Sequence, residues 1–239
     1  MSFGIEIRNL SFGTFDKSKI LKDLNINISP GEFVAVLGEN GAGKTTLLDL
    51  LMGFRKPSDG HIKVQGTIPH EDNWELRRSV AYLSEKVDIP GDWSVSDFLE
   101  FNKYFYISYS NDLEIKLLKK FRIDKSLRLG NMSAGEIRRV QVAGALCIQP
   151  KLIIVDEITA VLDIVGRRRF MEILTDLNKN QGCTVILATN ILEDLEKYAS
   201  HILLVRNGKL RLFQAIDKFL VGHSQKDFSQ RVADILEEE

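Results

Sequence analysis

Cysteine is nearly missing from this chain: its 239 residues include two, Cys147 and Cys183. Cys147 lies in the apolar segment Val142 to Ile148 and Cys183 just ahead of a predicted strand, so both read as small core residues rather than a disulfide or a metal pair. The four histidines, His61, His70, His201 and His223, are scattered, and no cluster has metal-ligand spacing. Long hydrophobic runs are lacking too. None approaches the ~18 to 20 residues needed to span a bilayer, and Met1 to Glu6 shows no basic segment followed by an apolar stretch. The chain is therefore expected to stay in the cytoplasm. A charge excess of either sign is also missing: the net charge is -1 and the pI is near 6.5. That removes any general attraction to nucleic acid or to an anionic membrane surface, so partners must be recognised locally and no direct nucleic-acid partner is expected. No repeat and no low-complexity segment interrupts the sequence.

What is present is a chain with 44% hydrophobic residues, long enough for one large domain or a domain with an inserted lobe. Its most informative run is Gly38-Glu39-Asn40-Gly41-Ala42-Gly43-Lys44-Thr45-Thr46. The apolar stretch Phe33 to Leu37 before it reads as a buried strand, and Leu47 to Met52 after it as a helix. Strand, glycine-rich loop and helix are the context a phosphate-binding loop requires. Glycines let successive N–H groups turn inward toward phosphate oxygens, and the helix N-terminus adds partial positive charge. Lys44 would meet the β- and γ-phosphates, and Thr45 would bind Mg²⁺.

From Ile5 to Leu37, short strand-like runs alternate with turn residues, as an antiparallel β layer would. Strands follow around His61 to Val64 and Val80 to Leu83, and Asp88 to Asp92 is a strong break. Residues Ser94 to Phe121 then carry helical periodicity. Val95, Phe98, Leu99 and Phe101 mark its first half, and Leu113, Leu117, Leu118 and Phe121 its second, with a turn at Ser108 to Asn111. This stretch reads as a helical lobe inserted in the core. The core resumes with Leu152 to Val155 and Thr184 to Ala188, each a buried strand, and Asp217 to Glu239 reads as two short helices with an acidic end.

Asp156 and Glu157 follow the strand Leu152 to Val155. A carboxylate pair at a strand end beside a phosphate loop has a physical use: Asp156 would hold the Mg²⁺ shell and Glu157 would activate water. Hydrolysis of a γ-phosphate is mostly positioning and charge neutralisation, which a metal, a lysine and an oriented carboxylate supply.

Ahead of that strand stands Asn131-Met132-Ser133-Ala134-Gly135-Glu136-Ile137-Arg138-Arg139-Val140-Gln141. This segment resembles the signature of ATP-binding cassette (ABC) proteins, and Asp156 to Asp163 is similar to the family's acidic pair and D-loop. The resemblance covers residues 5–213. It is closest to single cassettes of small transporters, including those paired with exporter-type (ABC-2) permeases. It implies an ABC ATPase fold, an α/β P-loop NTPase core with a mostly parallel sheet, an N-terminal antiparallel β layer and a helical lobe. The expected divisions are residues 1–86 and 151–216 for the core, 87–150 for the lobe and 217–239 for the tail. It also implies that Ser133, Ala134, Gly135 and Glu136 meet the γ-phosphate on a second cassette, homodimeric or heterodimeric, with Asp163 at the seam. Ser133 equally suits a helix cap, with Glu136 completing a capping box. The adenine is expected to stack on Phe15, with Phe12 as the competitor and plain β-layer packing open for either.

Two departures from the family bear on catalysis. Glu85 stands where a glutamine normally contacts Mg²⁺ and the attacking water, and a carboxylate binds the metal more directly while adding negative charge. Asn190 stands where a histidine is usual; it can donate to a γ-phosphate oxygen but cannot carry charge or shuttle a proton. Ile158, where proline is usual, touches no catalytic group. His201 is expected to begin the next strand, His201 to Val205, as a strand-edge residue, and so not to substitute for Asn190.

Two functions follow. One is a Mg-ATP-hydrolysing subunit that dimerises on ATP and drives an integral membrane permease, peripheral on the inner membrane face, with a coupling surface near Glu85 to Trp93. Trp93 also suits the lobe core. The other is a nucleotide-gated regulatory or scaffolding module with little turnover, which Glu85 and Asn190 motivate. A GTPase is disfavoured because no Asn-Lys-x-Asp motif occurs.

Overall fold

In this computed structural model, residues 4–13, 19–70, 72–84, 89–106, 108–157, 163–192, 195–221 and 228–237 are described. The strands are β1 (Ile5–Gly13), β2 (Lys19–Ile28), β3 (Phe33–Leu37), β4 (Asp59–Val64), β5 (Val80–Leu83), β6 (Leu152–Asp156), β7 (Thr184–Ala188), β8 (His201–Arg206) and β9 (Lys209–Ala215). The helices are α1 (Lys44–Leu51), α2 (Trp74–Ser79), α3 (Val95–Phe105), α4 (Asn111–Phe121), α5 (Ala134–Cys147), α6 (Ile164–Gln181), α7 (Leu195–Tyr198), α8 (Ile216–Phe219) and α9 (Phe228–Glu237).

The central sheet runs β5-β6-β7-β3-β8-β9, parallel except for β9, which pairs antiparallel with β8. β3, β6 and β7 are buried along their whole length, as their unbroken apolar runs require when both faces are covered. Alternation along β3 sorts its side chains. Phe33, Ala35 and Leu37 face a core built with α5 and α6, while Val34 and Val36 face a second core shared with α1 and the antiparallel layer. That layer has the order β2-β1-β4, so its third strand comes from beyond the phosphate loop, while β3 leaves it for the parallel sheet.

The lobe has a small core of its own, Val95, Leu99, Leu118, Leu129 and Val140, with Trp93 and Phe98 against it. Trp93 thus serves lobe packing, its ring 5.2 Å from that of Phe101. α3 begins at Ser94, which forms a full capping box with Asp97. α5 contributes Val140 to the lobe core and Val142, Ala143, Leu146 and Cys147 to the main core, so one helix ties the two together. In the tail, α8 and α9 lie where two short helices were expected, and Phe228 and Val232 of α9 join the main core.

Both cysteines are buried, and burial pushes the Cys147 thiol up to about 11 and that of Cys183 up to about 12. Neither is expected to react with a maleimide at neutral pH in the folded protein, and both in denaturant. Labelling of either at the rate of a free thiol before unfolding would contradict this packing.

Candidate functional site

The phosphate loop leaves the C-terminal end of β3, in the crevice where parallel α/β sheets place their ligands. Gly43 closes it. Its φ of +105° is a left-handed conformation, and a Cβ there would come within 2.6 Å of Leu21 Cδ2, so the loop needs glycine at that position. The result is an open cavity of about 430 Å³ lined by Ile20, Asn40, Lys44, Thr45, Thr46 and Glu157, together with Gly41 and Gly43. Gly38, Glu39 and Ala42 complete the loop, and the Ala42 N–H donates to Glu39 O at 3.1 Å.

Lys44 is almost fully buried, and its ammonium is surrounded by acceptors. It donates to Gly38 O at 2.7 Å, Glu39 O at 3.2 Å and Asn190 Oδ1 at 2.8 Å, and lies 3.5 Å from Glu157 Oε1. A buried cation requires such a shell, and here it comes from the loop, the second residue after β7 and the carboxylate after β6. Asn190 also donates through Nδ2 to Asn40 Oδ1 at 2.8 Å and, more weakly, to Glu157 Oε1 at 3.4 Å. Lys44, Glu157 and Asn190 are therefore brought together as the sequence leads one to expect. The contact between Asn40 and Asn190 was not foreseen: 150 positions separate them, and carboxamide pairs leave no sequence pattern.

Thr45 Oγ1 donates to Asp156 Oδ1 at 3.2 Å. Burial raises the Asp156 carboxyl above the usual range, opposed by the bond from Thr45 and reinforced by the nearby Glu157. A hydroxyl and a carboxylate oxygen side by side fit Mg²⁺, which takes few protein ligands and fills its shell with water and phosphate oxygens. Among the described residues no group of three or more His, Cys, Asp or Glu could hold a metal unaided, so the nucleotide would supply the remaining oxygens.

Glu157 has φ +52°, a left-handed conformation that costs a non-glycine residue roughly 1–2 kcal/mol. Its N–H donates to Ala188 O at 3.0 Å, which continues the β6–β7 ladder one residue past the strand and holds the turned backbone in place. That turn aims the side chain across the loop instead of along the sheet.

Ser133 caps α5, and its capping box with Glu136 is complete: the Glu136 carboxylate accepts from Ser133 N at 2.9 Å and from Oγ at 2.7 Å. Those bonds hold the Glu136 carboxyl below the usual range. Ala134, exposed, and Gly135, half-buried, form the first turn, with open space around Gly135. Asp163 caps α6, accepting from Gly166 N at 2.5 Å. Phe15, Glu85 and residues 158–162 lie outside the described residues. Phe12 is half-buried on the antiparallel layer, with the Arg55 guanidinium 5.6 Å above its ring. His201 begins β8 as expected, beside Glu32 at 3.8 Å.

Two supporting residues escaped the sequence. Arg138, buried on α5, donates to Ser84 O at 2.5 Å and to Gln141 Oε1 at 2.9 Å, so it binds the signature helix to the end of β5. Gly208, in the β8–β9 hairpin, accepts from Lys22 N at 2.7 Å and donates to Ala42 O at 3.2 Å, joining the β layer to the phosphate loop. A signal for that hairpin existed: Asn207 (φ +49°) and Gly208 (φ +74°) are the Asn-Gly pair of a type I′ turn.

Residues 21–160, which carry the phosphate loop, the signature helix and the acidic strand end, match the family described as ABC transporter. The chain belongs to the ABC transporter family. Within it the chain is an ATP-binding subunit, an ATPase. The cassette is 33% identical over 204 residues to the energy-coupling factor transporter ATP-binding protein EcfA2 of Ligilactobacillus salivarius, covering 80% of this chain and 70% of that one. Its fold matches cbiO1 of Clostridium perfringens, part of the ABC transporter complex cbiONQ, with TM-score 0.76 and 26% identity over 97% of this chain and 95% of that one. An ATP-binding subunit of another ABC transporter superposes with TM-score 0.85 at 24% identity, covering 96% and 99% of the two chains, which shows the shared fold. Among the described residues no helix is long and apolar enough to cross a membrane.

Proposed function

We propose that this cassette hydrolyses Mg-ATP between two subunits and transmits the closure to an integral membrane permease. The observation that carries the reading is the meeting of Lys44, Thr45, Asp156 and Glu157 in one crevice at the ends of β3 and β6. Gly38 to Thr46 cradle the phosphates, with Lys44 as their cation. Thr45 and Asp156 would hold Mg²⁺, joined by Glu85, and the metal would supply charge neutralisation. Glu157 orients and deprotonates the attacking water, and Asn190 donates to the γ-phosphate. Phe15 stacks on the adenine.

Ser133 to Glu136 serve the nucleotide of the opposite subunit, with Asp163 at the seam. The capped end of α5 supports this, because Ser133 and Ala134 are exposed and a helix N-terminus favours an anion. Residues 87–150 move as the lobe against the core formed by 1–86 and 151–216, with 217–239 as a tail. A groove of about 590 Å³ runs between α2 and α3, lined by Trp74, Arg77, Arg78, Phe101, Phe105 and Tyr106. Trp74 is 63% and Phe101 49% exposed. An aromatic groove rimmed by arginines suits a short permease segment, which supports the reading of a cassette peripheral on the inner face of a membrane. For the class of permease, similarity to EcfA2 and cbiO1 supports an energy-coupling factor type, in place of the exporter type that the motifs resemble.

Dimeric action is tested by the concentration dependence of turnover. ATP hydrolysis per chain is expected to rise more than about tenfold between sub-micromolar and tens-of-micromolar protein, as mass action fills the dimer. Ser133→Glu should keep ATP affinity and lose this rise, because a carboxylate there repels the opposite phosphate. Turnover per chain that stays constant with concentration overturns the two-subunit site.

A further inference from the structure

We infer that Asn40 is a positioning residue for Asn190, fixing which end of that carboxamide faces the lysine and which faces the catalytic carboxylate. The inference rests on the reading above in which Asn190 takes part in hydrolysis.

The orientation of Asn190 is settled by chemistry. A lysine ammonium only donates, so the atom 2.8 Å from Lys44 Nζ is the amide oxygen. A carboxylate only accepts, so the atom on the Glu157 side is the amide nitrogen. Asn190 thus stands between a cation and an anion with its dipole aligned to both. The Glu157 contact is 3.4 Å, long for such a bond, whereas Asn40 Oδ1 lies 2.8 Å from the same nitrogen. Asn40 is therefore the strong acceptor that holds the donor end.

Bonds from backbone N–H groups hold the rest of the segment: Thr189 N donates to Val36 O at 3.2 Å, and Ile191 N to the Thr189 side-chain Oγ1 at 3.1 Å. They leave the two side-chain torsions of Asn190 to its side-chain bonds, since its exposure means that packing does not fix them. Lys44 holds the oxygen end and Asn40 the nitrogen end. Asn40 sits within the loop itself, two residues before Ala42, whose N–H closes the turn on Glu39 O. Whatever sets the loop's shape thereby sets the direction of the Asn190 N–H bonds. A neutral amide in this position offers an acceptor on one side and a donor on the other, and it does so at every pH.

The test is a double-mutant cycle on Asn40→Ala and Asn190→Ala, read by steady-state ATP hydrolysis and by equilibrium binding of a fluorescent ATP analogue. Asn40→Ala is expected to lower kcat about fivefold, the effect of one neutral hydrogen bond, with KM and analogue Kd within about twofold because backbone N–H groups still hold the phosphates. In the Asn190→Ala background the same change should alter kcat less than about twofold. Asn40→Asp keeps an oxygen for the Asn190 nitrogen, so its kcat should exceed that of Asn40→Ala while the added charge weakens analogue binding. Equal losses of kcat in both backgrounds would mean that Asn40 acts on the nucleotide by itself, which overturns the positioning role alone. Wild-type turnover in Asn190→Ala removes the reading of Asn190 in hydrolysis, and this inference falls with it. Both positions are exposed, so the variants should melt with the wild type, and the affinity readout separates positioning from a damaged loop.

Discussion

Glu157→Gln is expected to lower ATP turnover by about 10²- to 10⁴-fold, the range associated with a positioned general base. Glutamine keeps the volume and one acceptor oxygen, so the contact with Lys44 survives in weaker form. What it loses is basicity, together with the negative charge 3.5 Å from Lys44 Nζ. That charge also repels incoming phosphate. Affinity for ATP should therefore hold or tighten while kcat collapses, a split measured by steady-state hydrolysis beside equilibrium binding of a fluorescent analogue. A variant with turnover within tenfold of wild type would show that the turned backbone at Glu157 serves something other than water activation. The same outcome would favour a cassette that holds nucleotide without consuming it.

Gly208→Ala is the second large effect expected, on stability. Its φ of +74° nearly equals the +67° of Gly182, so the intrinsic cost of a left-handed alanine is the same at both positions. Their surroundings differ. At Gly182 a Cβ meets nothing within 4 Å, whereas at Gly208 it would lie 1.9 Å from Ile20 O and 2.7 Å from Ile20 C. Backbone must then shift, and overpacking of that kind costs about 1–3 kcal/mol beyond the conformational penalty. Urea unfolding of the two variants isolates the difference. Equal losses at the two positions would mean that the hairpin moves away freely. Because Gly208 also donates to Ala42 O, Gly208→Ala should weaken ATP affinity as well, which Gly182→Ala should not.

The parts of the molecule that were legible in the sequence are those whose signal is local. β3, β6 and β7 are continuous apolar runs, and a strand covered on both faces can hardly be written otherwise. The phosphate loop is legible because steric demand at each glycine is imposed by near neighbours. Glu114 shows where such reading stops. It follows the apolar period of α4, with Leu117, Leu118 and Phe121 three, four and seven residues on, yet a glutamate there reads as surface. It is 2% exposed, bonded to Tyr109 Oη at 2.6 Å, with Lys103 Nζ at 3.2 Å and Lys125 also paired to it. Partners from α3, the turn before α4 and the segment after α4 make its burial tolerable, and which of the nearby lysines would fold back onto it depends on how the two helices pack. Asn40 and Asn190 were hidden for the same reason. The reading of Ile5 to Leu37 as an antiparallel layer also carried no hint that Phe33 to Leu37 would leave it or that β4 would cross back to complete it, since strand order depends on packing between distant segments.

The placement of β3 has a consequence for synthesis. Its neighbours in the sheet are β7 and β8, and the first of these begins at Thr184, 151 residues after Phe33 (184 minus 33). At translation rates of about 5–20 residues per second, the strand that carries the phosphate loop waits roughly 8–30 s before either flank exists. During that interval its apolar edges are open to wrong pairing. The antiparallel layer, closed by β4 at Val64, can form long before. The nascent chain thus builds the wall of its nucleotide crevice first and the floor last, and its need for chaperone protection should be greatest between those two events.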